Sequence, residues 1–273
     1  MPEPASFAYI NGGKMIMKNS RKKKWWIILG MVVLVLLIQT PLMYALSKGY
    51  FAKGNAEFYS VNNTPTLENS ALHGKTIIFL GSSVTMGTQS KGDSFIEYME
   101  KRNGIIPVEE TVSGTTLVDN GGNSYIQRMK TLNSSIRADV FICQLSTNDA
   151  SKGFSLGEIA EGTDLSDFDT STITGAMEYI IAYAKETWGC PVIFYTGTRY
   201  DSSTYESMVA RLLELQEKWG IGVIDLWNDQ DMNAVSKTDY KLYMFDSIHP
   251  TRAGYREWWT PKFEEYLVDY LAR

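Results

Sequence analysis

The strongest feature of the hydropathy pattern is an uncharged run from Trp25 to Ser47, WWIILGMVVLVLLIQTPLMYALS. As a helix rising about 1.5 Å per residue it would span roughly 35 Å, more than a bilayer core of about 30 Å. A helix buried in a soluble core normally keeps a polar stripe, and Trp25 to Ile38 has none. Residues 25–47 are therefore expected to form a transmembrane helix. Residues 54–73 are polar and turn-rich, so 48–73 reads as a linker and 74–273 as the folded domain. Within that domain, short apolar runs predict strands at 75–80, 108–112, 139–145, 192–196 and 222–226. Helical spacing predicts helices at 94–102, 125–132, 173–188, 204–219 and 253–271, the last kinked or divided at Pro261. Strands alternating with helices specify an α/β domain, with a parallel sheet covered on both faces.

Charge orients this layout. Arg21, Lys22, Lys23 and Lys24 stand immediately before the apolar run, and only Lys48 and Lys53 follow closely. The positive-inside rule then makes residues 1–24 a basic cytoplasmic tail and carries residues 54–273 across the cell membrane on a single pass. Ala45 and Ser47 have signal-peptidase spacing, which would release the domain. The run is longer than a signal-peptide core, which favours a retained anchor. Met15 or Met17 is an alternative start. Residues 1–53 hold eight Lys/Arg and one Glu, leaving 18 Lys/Arg against 30 Asp/Glu in the remainder, a net of −12. So acidic a domain is a poor partner for nucleic acid. Cys143 and Cys190 lie in no CxxC or Cys/His cluster, so no zinc site or disulfide is expected, and both read as buried thiols.

Candidate chemistry collects where the strands end, because ligands of open parallel sheets bind beyond the strands' carboxyl ends. Those ends carry Gly81-Ser82-Ser83, Ser113-Gly114, Ser146-Thr147-Asn148-Asp149 and Thr196-Gly197-Thr198. Ser83 is expected at a strand-to-helix turn, where backbone N–H groups point outward; the same position suits a helix N-cap. A serine hydroxyl needs a positioned base. Of the two histidines, His73 falls in the linker, whereas His249 follows Asp246 by three residues in Phe245-Asp246-Ser247-Ile248-His249. A carboxylate there can accept the imidazole Nδ1–H and leave Nε2 free. Asp149–Thr172 reads as a solvated surface insertion or a lid. Tyr195, Arg199, Tyr200 and Tyr205 read as a sugar-binding rim or as packing residues, and Trp258 and Trp259 as core.

Taken in order, four blocks resemble the SGNH hydrolase, or GDSL-type esterase/lipase, family. Gly81-Ser82-Ser83 matches its first block with Ser82 in place of the usual Asp. Gly114 matches the second. Ser146-Thr147-Asn148-Asp149 matches the third with Ser146 in place of Gly, and Asp246 with His249 matches the last. The resemblance covers residues 75–273. It implies a three-layer α/β/α, flavodoxin-like SGNH hydrolase fold with a catalytic Ser83, Asp246 and His249. It also implies an oxyanion hole made by the Ser83 and Gly114 backbone N–H groups and the Asn148 amide, with no metal or organic cofactor. The expected reaction is hydrolysis of carboxylic esters, an O-acyl or acetyl group on an extracytoplasmic glycan, or a lipid or small ester. An O-acyltransferase at the same site and a non-catalytic glycan-binding protein of the same fold are the alternatives.

Overall fold

The structure is a computed structural model that describes residues 9–11, 14–16 and 20–272. The chain divides into two units, Met1–Ser47 and Lys48–Arg273. In the first, β1 (Tyr9–Asn11) pairs antiparallel with β2 (Lys14–Ile16). Helix α1 (Ser20–Ser47) follows, so the basic cluster at 21–24 lies within the helix rather than in a separate tail. Of the rest of the expected tail, residues 1–8, 12–13 and 17–19, Met17 included, lie outside the described residues. Among the described residues α1 is the helix long and apolar enough to cross a membrane, over Lys24–Ser47, with a mean hydropathy of 2.3. An anchor and a signal sequence share that form.

The second unit is built on five parallel strands: β3 (Thr76–Gly81), β4 (Ile106–Thr111), β5 (Val140–Gln144), β6 (Val192–Tyr195) and β7 (Gly222–Ile224). Their order across the sheet is β4-β3-β5-β6-β7. Alternate side chains face opposite layers, as the period of a strand dictates. Ile78, Leu80, Phe141, Cys143 and Phe194 pack into one core beneath α3 (Tyr125–Met129), α5 (Ile173–Trp188) and α6 (Ser203–Trp219). Ile77, Phe79, Val140, Ile142 and Tyr195 pack into the other beneath α2 (Phe95–Asn103) and α10 (Thr260–Leu271). This is the expected three-layer α/β/α arrangement. Short helices α4 (Thr147–Lys152), α7 (Gln230–Asn233), α8 (Lys237–Tyr243) and α9 (Arg252–Gly254) fill the connections.

Two local expectations are refined. The last predicted helix is divided, not at Pro261 itself but just upstream, by a π-helical turn, Tyr255–Trp259, that runs directly into α10, whose second residue is Pro261. The segment read as a linker is folded onto the domain, through three 3₁₀ turns at Lys53–Asn55, Glu57–Tyr59 and Val61–Asn63. The fully buried Asn55 explains its docking. Its Nδ2 donates to the carbonyls of Gly49 and Gln89, both at 2.7 Å, and its Oδ1 accepts from the Arg252 N–H at 2.8 Å.

The sheet order sets the position of the site. After β3 the chain crosses to one side to form β4, then returns past β3 to form β5 on the other. The carboxyl ends of β3 and β5 therefore flank the switch point, where open α/β sheets leave a crevice.

Candidate active site

Ser83 follows the last residue of β3 by two positions, at the head of a run of turns rather than of a regular helix. The expected helix start is missing because the chain turns back on itself at once. Thr88 N–H donates to the Ser83 carbonyl and Gly92 N–H to that of Gly87, and the next helix, α2, begins only at Phe95. Gly81, at the strand's end, has no room for a side chain: a Cβ there would lie 1.7 Å from Thr85 Oγ1.

A buried polar platform holds this turn. Gln144, the last residue of β5 and 2% exposed, accepts three hydrogen bonds on Oε1: from Ser82 N–H at 2.9 Å, Ser82 Oγ at 3.2 Å and Thr85 Oγ1 at 2.7 Å. Thr85 Oγ1 is also 2.6 Å from the Tyr195 hydroxyl, and the Tyr255 hydroxyl donates to the Val84 carbonyl at 2.6 Å. Arg128 on α3 adds a second brace, donating to the carbonyls of Gly81 at 2.9 Å and Glu110 at 2.7 Å and to Thr115 Oγ1 at 3.0 Å. Neither Gln144 nor Arg128 stands out in the sequence. A polar residue ending an otherwise apolar strand run, DVFICQL, was the available signal for Gln144.

His249 reaches the serine from the loop between α8 and α9. Ser83 Oγ lies 2.8 Å from His249 Nε2, and His249 Nδ1 lies 2.9 and 3.0 Å from the two carboxylate oxygens of Asp246. The same Asp246 accepts the backbone N–H of Ile248 at 2.8 Å and of His249 at 2.7 Å, so one carboxylate both shapes the turn and fixes the ring. Burial raises the Asp246 carboxyl, but the imidazole's hydrogen bond and charge, with the two backbone N–H groups, outweigh it and hold the group below the usual aspartate value. It is therefore ionised at neutral pH.

The remaining predicted residues lie around this trio. Asn148, in the first turn of α4, donates from Nδ2 to the Thr115 carbonyl at 2.9 Å and to Ser82 Oγ at 3.2 Å, which sets its amide beside the nucleophile turn. Gly114 is exposed in the loop after β4 with φ of 81°, a conformation that strains a residue with a Cβ. Among the described residues, neither the Ser83 nor the Gly114 backbone N–H donates to a protein group. Asp149 is fully buried and accepts the N–H groups of Leu117 and Val118, anchoring the Gly114 loop. Burial pushes its carboxyl up despite those bonds. His73 packs against Gly104, ahead of β3 and at the end of the strand opposite to Ser83.

Other readings divide. Tyr195 and Tyr205 are core residues, whereas Arg199 and Tyr200 line cavities near the site. The insertion after α4 is pinned to α5 and α6. Arg211 donates to the Gly157 carbonyl, Lys218 to those of Ala160 and Gly162, and buried Glu178 accepts from the Ala160 N–H. Trp258 and Trp259 are buried, as are both cysteines.

Comparison with known proteins agrees with this geometry. A profile of the GDSL-like lipase/acylhydrolase family matches residues 79–257, which include Ser83, Gly114, Asn148, Asp246 and His249. A search of curated proteins finds no match. Among solved structures, a protein from Bacteroides ovatus described as a GDSL-like lipase superposes with a TM-score of 0.55 at 19% identity, over 72% of this chain and 99% of its own. A protein of the lipolytic G-D-S-L family from Desulfitobacterium hafniense gives 0.52 at 15% identity, over 71% and 99%. An acetyl xylan esterase gives 0.50 at 17% identity, over 70% and 98%. At such identities these likenesses bear on the fold alone.

Proposed function

We infer the reaction from one premise: this chain belongs to the GDSL-like lipase/acylhydrolase family and is an ester-hydrolysing serine hydrolase. We propose that Ser83 is its nucleophile, His249 the base and Asp246 the orienting carboxylate. The observation that carries this reading is the continuous chain Ser83 Oγ–His249 Nε2–Asp246, at 2.8 Å and then 2.9 Å. His249 takes the Ser83 proton as Oγ attacks the ester carbonyl, and returns it to the departing alkoxide, leaving an acyl-serine. Water, deprotonated by the same Nε2, then releases the carboxylic acid.

The negative oxygen of each tetrahedral intermediate needs donors that are already aimed. The unengaged N–H groups of Ser83 and Gly114 support the proposed hole. The Asn148 amide is its third member, turning one hydrogen from Ser82 Oγ to the oxyanion. Ser82 has an advantage over the family's usual aspartate in this setting, since a neutral hydroxyl adds no negative charge beside the developing oxyanion.

The acyl group is proposed to be short, with acetyl as the best fit. A cavity bounded by Val84 and Ile248, the chain neighbours of Ser83 and His249, is closed by Gln144, Thr147, Tyr195 and Tyr200 and encloses only about 10 Å³. That is space for about one water, and so for one methyl group. The acidic domain, carried outside the cell membrane on a retained α1, would meet such esters as O-acetyl groups on a glycan.

Hydrolysis of p-nitrophenyl acetate and p-nitrophenyl octanoate by the full chain in detergent, beside Ser83→Ala, tests the proposal. Acetate should turn over, octanoate only weakly, and Ser83→Ala should do neither. Undiminished activity in Ser83→Ala would end the assignment, and a preference for octanoate would end the acetyl reading.

A further inference from the structure

A second and larger groove lies beside the acyl cavity, between the loop after β6 and helix α8. It encloses about 430 Å³, within the range of about 300–1,000 Å³ common to small-molecule sites. Its walls include Thr198, Arg199, Lys237, Tyr240, Lys241 and Trp258. Thr198 also lines the acyl cavity, so the two spaces share a wall. On the other side the groove approaches the triad: the Tyr240 hydroxyl is held above its usual pKa by burial and then by the charge of Asp246. A ligand in this groove therefore lies next to the place where an ester would meet Ser83.

The charge of the groove is opposite to that of its surroundings. Three cations and no carboxylate line it, in a domain with a net charge of −12. Lys237 and Lys241 stand four residues apart on α8, and so share one face of that helix. Both are exposed, and among the described residues neither forms an ion pair. Asp239, between them in sequence, is occupied at the helix start, where it accepts the Ser236 hydroxyl at 2.7 Å. Arg199 on the facing wall donates to Asn228 Oδ1 at 3.5 Å and pairs with Glu206 at 3.8 Å, both in solvent, while its guanidinium lies over the Trp227 ring at 5.5 Å. Exposed pairs of that kind hold little energy, so the guanidinium is available to a ligand. Half-buried Tyr240 supplies the apolar surface on which a sugar ring can rest, while Trp258, buried and stacked on Tyr243, only backs the groove.

We propose that this groove binds the alcohol side of the ester, and that this alcohol is an anionic glycan carrying carboxylate or phosphate groups. The proposal rests on the esterase reading of Ser83 and names the substrate class of that site. Lys237, Lys241 and Arg199 pair with the glycan's charges, a ring face rests on Tyr240, and the acetyl group passes Thr198 into the cavity beside Val84.

Calorimetric titration of the full-chain Ser83→Ala protein in detergent tests this with three oligomers: oligogalacturonate for carboxylate, poly(glycerol phosphate) for phosphate, and neutral xylo-oligosaccharide. One anionic oligomer should bind at least about tenfold more tightly than the neutral one, and which of the two does so identifies the source of the charge. That affinity should fall about tenfold in Lys237→Ala/Lys241→Ala and in about 1 M salt, where the screening length is about 3 Å. Binding of the neutral oligomer as tightly as the anionic ones, no binding of either anionic oligomer, or a double variant that binds as before would each overturn the proposal. Hydrolysis of p-nitrophenyl acetate by the protein with Ser83 intact reports on the esterase site separately. Absence of that hydrolysis in the unsubstituted protein would overturn the esterase reading alone, and the titration would still judge the groove.

Discussion

At the scale of single residues, the proposed site says which side chains the reaction should depend on. Asp246 makes four contacts with the His249 turn, so Asp246→Asn changes charge and tautomer while leaving the volume unaltered. We expect kcat for p-nitrophenyl acetate to fall about 10²–10⁴-fold, with the thermal midpoint nearly unmoved. A variant of full activity would show Asp246 to be a turn residue only. Tyr200 closes the acyl cavity and is only half-buried, so Tyr200→Ala should open it toward solvent without collapsing the core. Its butyrate-to-acetate ratio of kcat/KM should rise by about tenfold, since each buried methylene is worth about 0.8 kcal/mol. An unchanged ratio would put the acyl group elsewhere. The meeting of Ser83, His249 and Asp246 was legible in the sequence because the residue types are distinctive and their spacing local or ordered. Gln144 and Arg128 were not, because their work is to satisfy buried backbone and hydroxyl groups, which only the folded geometry brings together. Asn55 is of the same kind: nothing in a polar, turn-rich stretch distinguishes the one amide that becomes wholly buried.

At the scale of elements, hydrophobic periodicity foretold the five strands and the long helices, since each must bury a face or a stripe. It missed the 3₁₀ turns of Lys53–Asn63 and the turn run after Ser83, where backbone and side-chain hydrogen bonds replace apolar contact. The former segment is more than a spacer. Through Asn55 it ties the Gln89 carbonyl, at the end of the nucleophile turn, to the Arg252 N–H, just beyond His249. Asn55→Ala leaves the Gln89 carbonyl and the Arg252 N–H unpaired, while the Gly49 carbonyl keeps the Ala52 N–H, and should cost about 1–3 kcal/mol for each orphaned group, with activity and thermal midpoint falling together. A native midpoint would show that water replaces the amide. Helix α2 carries a pH dependence. Its capping box joins Ser94 N–H to Glu97 at 2.6 Å, in surroundings whose burial, assisted by Glu109, raises the Glu97 carboxyl to about 7. The native state then holds a proton that the unfolded chain has released above about pH 4.5, so this group's contribution is full at lower pH and declines as pH rises toward 7. The loss amounts to at most about 3 kcal/mol. Denaturant unfolding at pH 5.5 and 8 should show it, and Glu97→Gln, which keeps a capping side chain, should flatten the difference. An equal difference in the variant would assign the dependence to other groups.

At the scale of the whole molecule, two physical demands divide the chain. The helix Lys24–Ser47 is apolar around its whole circumference, a surface that water does not tolerate but lipid does. The second unit buries its apolar side chains in two cores and has an acidic exterior, as a body in water requires. Either an anchor or a signal sequence would meet both demands; we propose the anchor, with its direction set by the basic residues before the apolar run, because Lys and Arg are retained on the cytoplasmic side. We therefore expect a phosphatase reporter fused after Arg273 to be active in cells and a fluorescent protein at the same point to be dark. The opposite pattern would invert the topology. The same fusions decide retention. An uncleaved α1 keeps the phosphatase in the membrane fraction after alkaline carbonate washing, which strips proteins held by charge alone. Cleavage beyond Ser47 would instead release it to the medium, shortened by α1 and all that precedes it. The two results have different consequences for the substrate. An anchored enzyme works only on esters within reach of the membrane surface, whereas a released one can follow them through the envelope. Recovery of the reporter wholly in the medium would therefore overturn the retained anchor while leaving the chemistry of Ser83 untouched.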